Sequence, residues 1–556
     1  MDRRFLLALL LSAVVIGVTP WIFPSPKPST AVGTPRVDNT ISAAPVETKA
    51  VPAAPSRVGG TATPSPAATQ APAAAAGVVS DTLFVQTPKV EYGFSALGAA
   101  PVSVGVKFYR NQRKPKENVT LNSGRLPLLR YRLVAGRDTL RLDQTVFTSS
   151  RGQAPGGAEI VQFRGRTGSA AVTITYTLDT AGYLSRVNGE VAGAATPTFL
   201  LIDLPGTLAS SESDSVQDLT HLAYAFKPQN DNASSVGFGK LDPGESKLEG
   251  GPLSWTAVKN KYFVLGVLES KGLPAFSEVR FVGGTRSSKI ATNASATVVQ
   301  EVKNGAFGFD LYSGPQEWRQ LIATGRDFDH VNPYGWSFMR GIVQPVAGLV
   351  IQSLLWMHQV LKLSYGWVLV IFGVAIRMLL WPLNQKAMRS QLKLQEMQPR
   401  LQEVQKKYQN NPEKQREEIM KVYRDSGSSP LAPLAGCLPM LIPMPIFFAL
   451  FFVFQNTIEF RGVPFLWLAD ISVKDPFYIL PLLMGISMFL LSWVGMRNSP
   501  PNPQAKMMGY VFPVMMTVML ANLASGLNLY YTAQNFAAIP QQWLIARERG
   551  KQKAAR

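Results

Sequence analysis

Beyond residue 364 the chain is built from long apolar runs, at 365–384, 431–455, 477–494, 507–524 and 527–544. Coiled as helices, runs of this length span a hydrocarbon layer about 30 Å thick. That medium admits only segments whose backbone hydrogen bonds are satisfied internally. Phe5 to Phe23 adds a sixth run, without a charge, behind Arg3 and Arg4. The pattern predicts a polytopic α-helical membrane protein: an N-terminal anchor (1–23), a five-helix core (364–545) and a basic tail (546–556). A cleaved signal peptide is the alternative for the first run. Trp21, Ile22 and Phe23 lengthen it, however, and Pro24-Ser25-Pro26-Lys27-Pro28 is a poor cleavage context.

The remainder is of different material. Residues 24–77 hold 10 Pro and 14 Ala, too little apolar surface to offset ordering entropy, so they read as a disordered tether. Residues 78–335 alternate with period two: Val102, Val104, Val106 and Phe108; Val172, Ile174, Tyr176 and Leu178; Phe307, Phe309 and Leu311. Such runs, separated by Gly, Asn, Asp and Ser, predict a large all-β sandwich with no catalytic motif. Residues 336–363 include an apolar stretch at 341–361 that carries Pro345, Gln352, His358, Gln359 and Lys362. We read it as an interfacial amphipathic helix on the outer membrane surface.

The net charge of +19 supplies the orientation. Segment 385–428 has 10 Lys/Arg against 6 Asp/Glu, and together with 1–4, 497–506 and 545–556 it holds +11 of the total. By the positive-inside rule these segments are cytoplasmic, both termini included, and the β domain lies outside. The excess is a topological signal, not the footprint of a DNA-binding domain. A single cysteine, Cys437, and three scattered histidines leave no disulfide and no basis for a metal site or cofactor.

Segment 385–428 reads as a cytoplasmic helical hairpin. Leu394, Met397, Leu401, Val404 and Tyr408 form a seam at spacings of three and four, and Asn410-Asn411-Pro412 supplies a turn, a cap and a helix start. Pro399 should kink the first helix. The seam, with Met397, Pro399 and Leu401, either receives clients or packs the hairpin against itself.

One charge lies within a span. Arg377 is flanked by uncharged residues from Val368 to Leu383, and none of the six runs contains Asp or Glu. A structural ion pair is therefore not on offer, and an intramembrane ionisable group by default marks a functional cavity. It either snorkels to the inner headgroups or lines a hydrated groove. Asn528, Tyr530, Tyr531, Gln534 and Asn535, with Asn522, Thr517 and Ser487 on neighbouring spans, are candidate groove residues. They could equally make interhelical hydrogen bonds.

These motifs resemble the YidC-type membrane protein insertases of the YidC/Oxa/Alb superfamily. Ile376-Arg377-Met378-Leu379-Leu380-Trp381-Pro382-Leu383 is similar to the family's arginine followed by an aromatic-Pro-Leu step. Met397-Gln398-Pro399-Arg400 resembles its hairpin, and Gly436-Cys437-Leu438-Pro439 with Pro445-Ile446-Phe447 its third span. Asp475-Pro476-Phe477-Tyr478 and Ser525-Gly526-Leu527 with Tyr530-Tyr531 resemble the fourth and last. Pro443, Ala432 and Gly373 depart from the family's frequent Gln, Asn and polar residue. The resemblance implies a β-supersandwich in the periplasm and residence in the bacterial inner membrane. It further implies an insertase and chaperone, not an enzyme, that works alone or with the Sec translocon on nascent membrane proteins, in contact with ribosomes and lipids. A secondary transporter or channel is the competing reading, although the paired repeats of transporters are not evident.

Overall fold

The computed structural model describes residues 82–122, 127–287, 290–336, 338–425, 444–496 and 503–554. The anchor, the tether, Cys437 with its surrounding motif, Ala432 and Pro443 lie outside the described residues.

The alternating segments form antiparallel strands. Thr82–Gln86, Val90–Ser95, Ala100–Arg110 and Asn118–Thr120 make one four-stranded sheet. A larger sheet runs from Asp138–Leu140 through Arg130–Ala135, Thr198–Leu204, Ala294–Glu301, Phe276–Gly283 and Ser246–Lys259. It continues through Phe263–Glu269, Ala306–Pro315, Leu184–Ala192, Ala170–Leu178 and Glu159–Thr167 to Thr148–Gln153. Val172, Ile174, Tyr176 and Leu178 are all buried, as are Phe307, Phe309 and Leu311. This is the burial that a period-two pattern with one inward face dictates. Val104 and Val106 are buried too, but Phe108 is 73 % exposed. An irregularity in pairing between Val106 and Arg110 turns it outward. Two short helices, α1 (Ser215–Thr220) and α2 (Trp318–Thr324), border the sheets.

The second part is helical: α3 (Arg340–Leu361), α4 (Tyr365–Leu379), α5 (Trp381–Lys407), α6 (Pro412–Asp425), α7 (Met444–Asn456), α8 (Ile479–Met496), α9 (Pro503–Leu520) and α10 (Ser525–Ala554). Its core is a separate apolar cluster around Val343, Leu354, Val368, Leu369, Leu450, Phe454, Leu480 and Tyr530. By length and composition, α3 and α8 could each cross a membrane, while α4, α7 and residues 509–520 are apolar but shorter. The second apolar run is divided more sharply than its sequence suggests. Pro382, in the first turn of α5, lacks an amide hydrogen and disfavours helix before it, so α4 ends at Leu379 and α5 starts at Trp381. Further on, α5 continues through Pro399. Asn411 caps α6, its Oδ1 accepting from the Lys414 amide at 3.2 Å. Gln415 donates to the Gln405 carbonyl at 3.0 Å and closes the hairpin.

The loop between α7 and α8 joins the two parts. Ile458 enters the apolar core of the β domain. Arg461 donates through Nε to both carboxylate oxygens of Glu212 at 2.9 Å and through Nη2 to the Arg110 carbonyl at 3.0 Å. Gln112 donates to Asp470 at 3.0 Å, and Tyr262 to Ser472 at 3.0 Å. The Glu459 carboxylate accepts from the Trp318 amide at 3.0 Å, and burial pushes its pKa up to about 7. On its far side the loop receives the start of α10, where the Ser525 and Gly526 amides donate to the Val473 and Ile471 carbonyls at 2.7 and 2.9 Å. Asp475 is fully buried and accepts from the Phe477 and Leu480 amides, which orients the entry to α8.

Candidate functional site

The site is assembled where α4 crosses α10. Gly373 allows the approach, since a Cβ there would lie 3.1 Å from the Tyr530 carbonyl oxygen and 3.5 Å from the Ala533 Cβ. Small residues at helix crossings serve this purpose in membrane proteins. The residue that departs from the frequent polar type thus has a packing role here. One turn further on stands Arg377, half-buried. Its Nε is buried with no hydrogen-bond partner, and among the described residues it forms no ion pair. A guanidinium carries five donors that all seek acceptors, so this head is under-satisfied.

Aromatic rings form the wall beside it. Phe372 lies 6.0 Å from Tyr530, Tyr530 5.3 Å from Tyr531, and Tyr531 5.4 Å from Phe447 on α7, measured between ring centroids. Tyr530 is 1 % exposed, and Gln534, one turn further, is also buried. The same face of α10 carries Gln541, whose Nε2 donates to the Trp381 carbonyl at 3.0 Å, at the break between α4 and α5. Gln541 was not among the expected residues. Its position seven residues after Gln534, on the Tyr530 face, was the available signal.

The other expected residues face elsewhere. Asn535 donates to the Ser487 hydroxyl at 3.0 Å across the α8–α10 contact, and Ser487 donates to the Met484 carbonyl at 2.7 Å. Thr517 donates to the Pro513 carbonyl at 2.8 Å and lies where a Cβ on Gly485 would clash with it. Asn528 is fully buried and donates to the Leu520 carbonyl at 3.1 Å, while its Oδ1 has no partner among the described residues. Asn522 is exposed in the turn before α10. Arg377 and Tyr530 therefore come together, with Tyr531 packed on Tyr530, whereas Asn535 and Ser487 tie α10 to α8 and Thr517 bonds within α9. In the hairpin, Met397 is buried and Leu401 half-buried; of Pro399, only its place within α5 is described.

The outward faces of the helices are apolar. Ile342, Leu349, Trp356 and Val360 on α3 are exposed, as are Leu482, Ile486, Phe489 and Trp493 on α8 and Val511, Val514 and Val518 on α9. Contiguous apolar patches of this extent mark a membrane or partner surface.

Comparison with known proteins agrees with this architecture. A family model described as YidC periplasmic domain matches residues 82–348, and one described as 60Kd inner membrane protein matches 356–553. A membrane protein insertase YidC from Ralstonia nicotianae is 30% identical over 94% of this chain and 93% of its own. This chain belongs to the YidC family of membrane protein insertases. The family relative from Citrifermentans bemidjiense is 29% identical, covering 98% of this chain and 99% of its own. A crystal structure of an active YidC insertase with the first transmembrane domain resolved is 17% identical and covers 84% of this chain and 95% of that one, with a TM-score of 0.34. As a YidC protein, the chain is an insertase of the bacterial inner membrane with a periplasmic β-rich domain and a helical core, and it is not an enzyme. Its clients are nascent membrane proteins.

Proposed function

We propose that client segments enter through a hydrated groove of the inner leaflet that contains Arg377, in a protein of six spans with both termini in the cytoplasm. The anchor 1–23 and tether 24–77 precede the periplasmic domain 78–335. Residues 336–363 lie on the outer surface, and the hairpin 385–428 and tail 546–556 face the cytoplasm. The observation that carries the reading is the Arg377 head, with its Nε buried and unpartnered beside the Tyr530–Tyr531 wall. A permanent carboxylate partner would neutralise such a group; without one, it attracts acidic groups that arrive.

The steps are physical and use no nucleotide. A client's short acidic tail is drawn toward Arg377 from the cytoplasmic side, where Gln534, one turn beyond Tyr530, would add polarity. A groove confined to one leaflet shortens the apolar distance that the tail must cross. The membrane potential assists by about 2.3 kcal/mol per charge per 100 mV. The client's apolar segment then passes along α7 and α9 into lipid, driven by roughly 25 cal/mol per Å² buried. Met397, Pro399 and Leu401 would receive clients at the hairpin. The protein acts alone or with the Sec translocon, with ribosomes and lipids as further partners, and it helps clients fold.

The test is reconstitution in liposomes with a small single-span client whose exported tail is acidic. Arg377→Glu should lower insertion at least tenfold, and Arg377→Lys should retain part of it. Normal insertion by Arg377→Glu would sink the attraction model.

A further inference from the structure

The positive-inside rule leaves part of the charge unexplained. Residues 24–364, most of them in the exported domain, still carry +8. One portion is concentrated at a single loop, 110–117, where Arg110, Arg113, Lys114 and Lys116 are opposed by Glu117 alone. All four basic residues are exposed. Lys114 pairs with Glu117 at 3.1 Å, and among the described residues no ion pair is formed by the other three.

The location of this loop is what gives it meaning. Within it, Gln112 donates to Asp470 at 3.0 Å, and the Arg110 carbonyl accepts from Arg461 at 3.0 Å. Both partners belong to the loop between α7 and α8, so the basic loop is held at the outer end of the helical core. Beside these attachment points the same core loop exposes apolar side chains. Leu466 is 69 % exposed, and Phe477, at the entry to α8, is 64 % exposed. Phe465 adjoins the start of α4, its ring centroid 5.4 Å from that of Trp367. Trp and Tyr collect at the membrane–water interface, and Trp467 and Tyr478 are both exposed in this stretch. Lys362 and Lys474, at the ends of α3 and of the same loop, are exposed too. The nearby acidic groups are mostly engaged: Glu212 with Arg461, Asp470 with Gln112, and Asp214 with the Gln217 amide.

We propose that the 110–116 loop binds anionic phospholipid headgroups of the outer leaflet and so holds the exported domain against the membrane. This rests on the orientation proposed above. A Debye length of about 10 Å at 0.1 M salt keeps charges on flexible stems, anchored beside the helix ends, within reach of that layer. The chemistry matches, since Arg and Lys are the residues that recognise phosphate. It also gives an outward cationic cluster a use that topology does not.

The test uses the full chain with Cys437→Ser in lipid nanodiscs, bearing an environment-sensitive fluorophore at Pro115→Cys. The nanodiscs contain neutral lipid with a minority of phosphatidylglycerol, and a headgroup nitroxide is placed on one lipid or the other. Quenching should be at least threefold greater when the nitroxide is on the anionic lipid. It should fall to the neutral-lipid level with Arg113→Gln, Lys114→Gln and Lys116→Gln combined, and at 1 M salt, where the Debye length is about 3 Å. Retained quenching with Lys114→Arg and Lys116→Arg would show that charge is what matters. Equal quenching by the two lipids, or none, overturns the proposal. So does a probe that responds to an acidic peptide and not to anionic lipid. A second fluorophore at Leu466→Cys separates the two readings. If it too escapes quenching, the placement of these helix ends at the headgroups is wrong and the proposal falls with it; if it alone is quenched, only the lipid contact fails.

Discussion

Arg461 and Arg377 are the same side chain given opposite surroundings. Arg461 joins the β domain to the helical core; its side chain is 5 % exposed, and it spans Glu212 and the Arg110 carbonyl. Arg377 stands in the core with a buried Nε and, among the described residues, no carboxylate partner. Burying a charge is tolerated only with partners. The first arginine has permanent ones and works as scaffold. The second has none among the described residues, which supports a role in meeting charges that come and go.

The strongest way to break this comparison is to remove one partner from each site. Glu212→Ala leaves Arg461 buried and unpaired, and it should cost about 3–5 kcal/mol of stability, measured by thermal unfolding in detergent. Arg377→Leu should cost nothing or stabilise, while insertion of acidic-tailed clients is lost. A destabilisation by Arg377→Leu equal to that by Glu212→Ala would erase the distinction.

Next in size is the pH dependence of the junction. Glu459 has its pKa raised to about 7 by burial, so between its ordinary value and 7 the folded state holds a proton that the unfolded chain has released. Stability from this group is therefore present at acid pH and lost as pH rises through 7, by up to about 3 kcal/mol. Lys259, whose pKa burial lowers to about 7, runs the other way. Below pH 7 it is charged and costly in the fold, and its penalty fades as pH rises above 7. Glu459→Gln should flatten the acid limb between pH 5 and 7 and leave the alkaline one unchanged.

Smaller effects sharpen the picture around Arg377. Gly373→Ala places a Cβ 3.1 Å from the Tyr530 carbonyl oxygen. It should cost about 1–3 kcal/mol and reduce insertion by moving α4 relative to α10. Asn411→Ala removes the cap of α6 and should cost about 1 kcal/mol, seen as faster amide exchange in the hairpin with little change in insertion.

Much of this architecture is legible in the residues. Period-two runs such as Val172–Leu178 carry their burial in their spacing, and Asn411-Pro412 writes a helix start locally. Arg377 stood out because its neighbours are uncharged. What escaped reading depends on distant partners. Polarity marks Asn535, Thr517 and Tyr530 alike as candidates for the groove, and only the helix crossings separate those that face Gly373 from those that bond to Ser487 or Pro513. Gln541 was hidden for the same reason, because its partner is a backbone carbonyl 160 residues away. Phe108 followed the alternation perfectly, yet the irregular pairing beyond Val106 turned it outward.

The loop between α7 and α8 also bears on the order in which the molecule is made. Domains fold as units, N-terminal first, during synthesis. Apart from Ile458, the whole core of the β domain is synthesised before residues 457–475 leave the ribosome, so it can fold ahead of them. When they do, Glu212, Tyr262 and the Trp318 amide already stand in place to receive Arg461, Ser472 and Glu459. Only then does α10 follow, and its first amides find the Val473 and Ile471 carbonyls set at their spacing. The exported domain thus serves its own chain as a jig, on which the last helix is aligned before it closes the core.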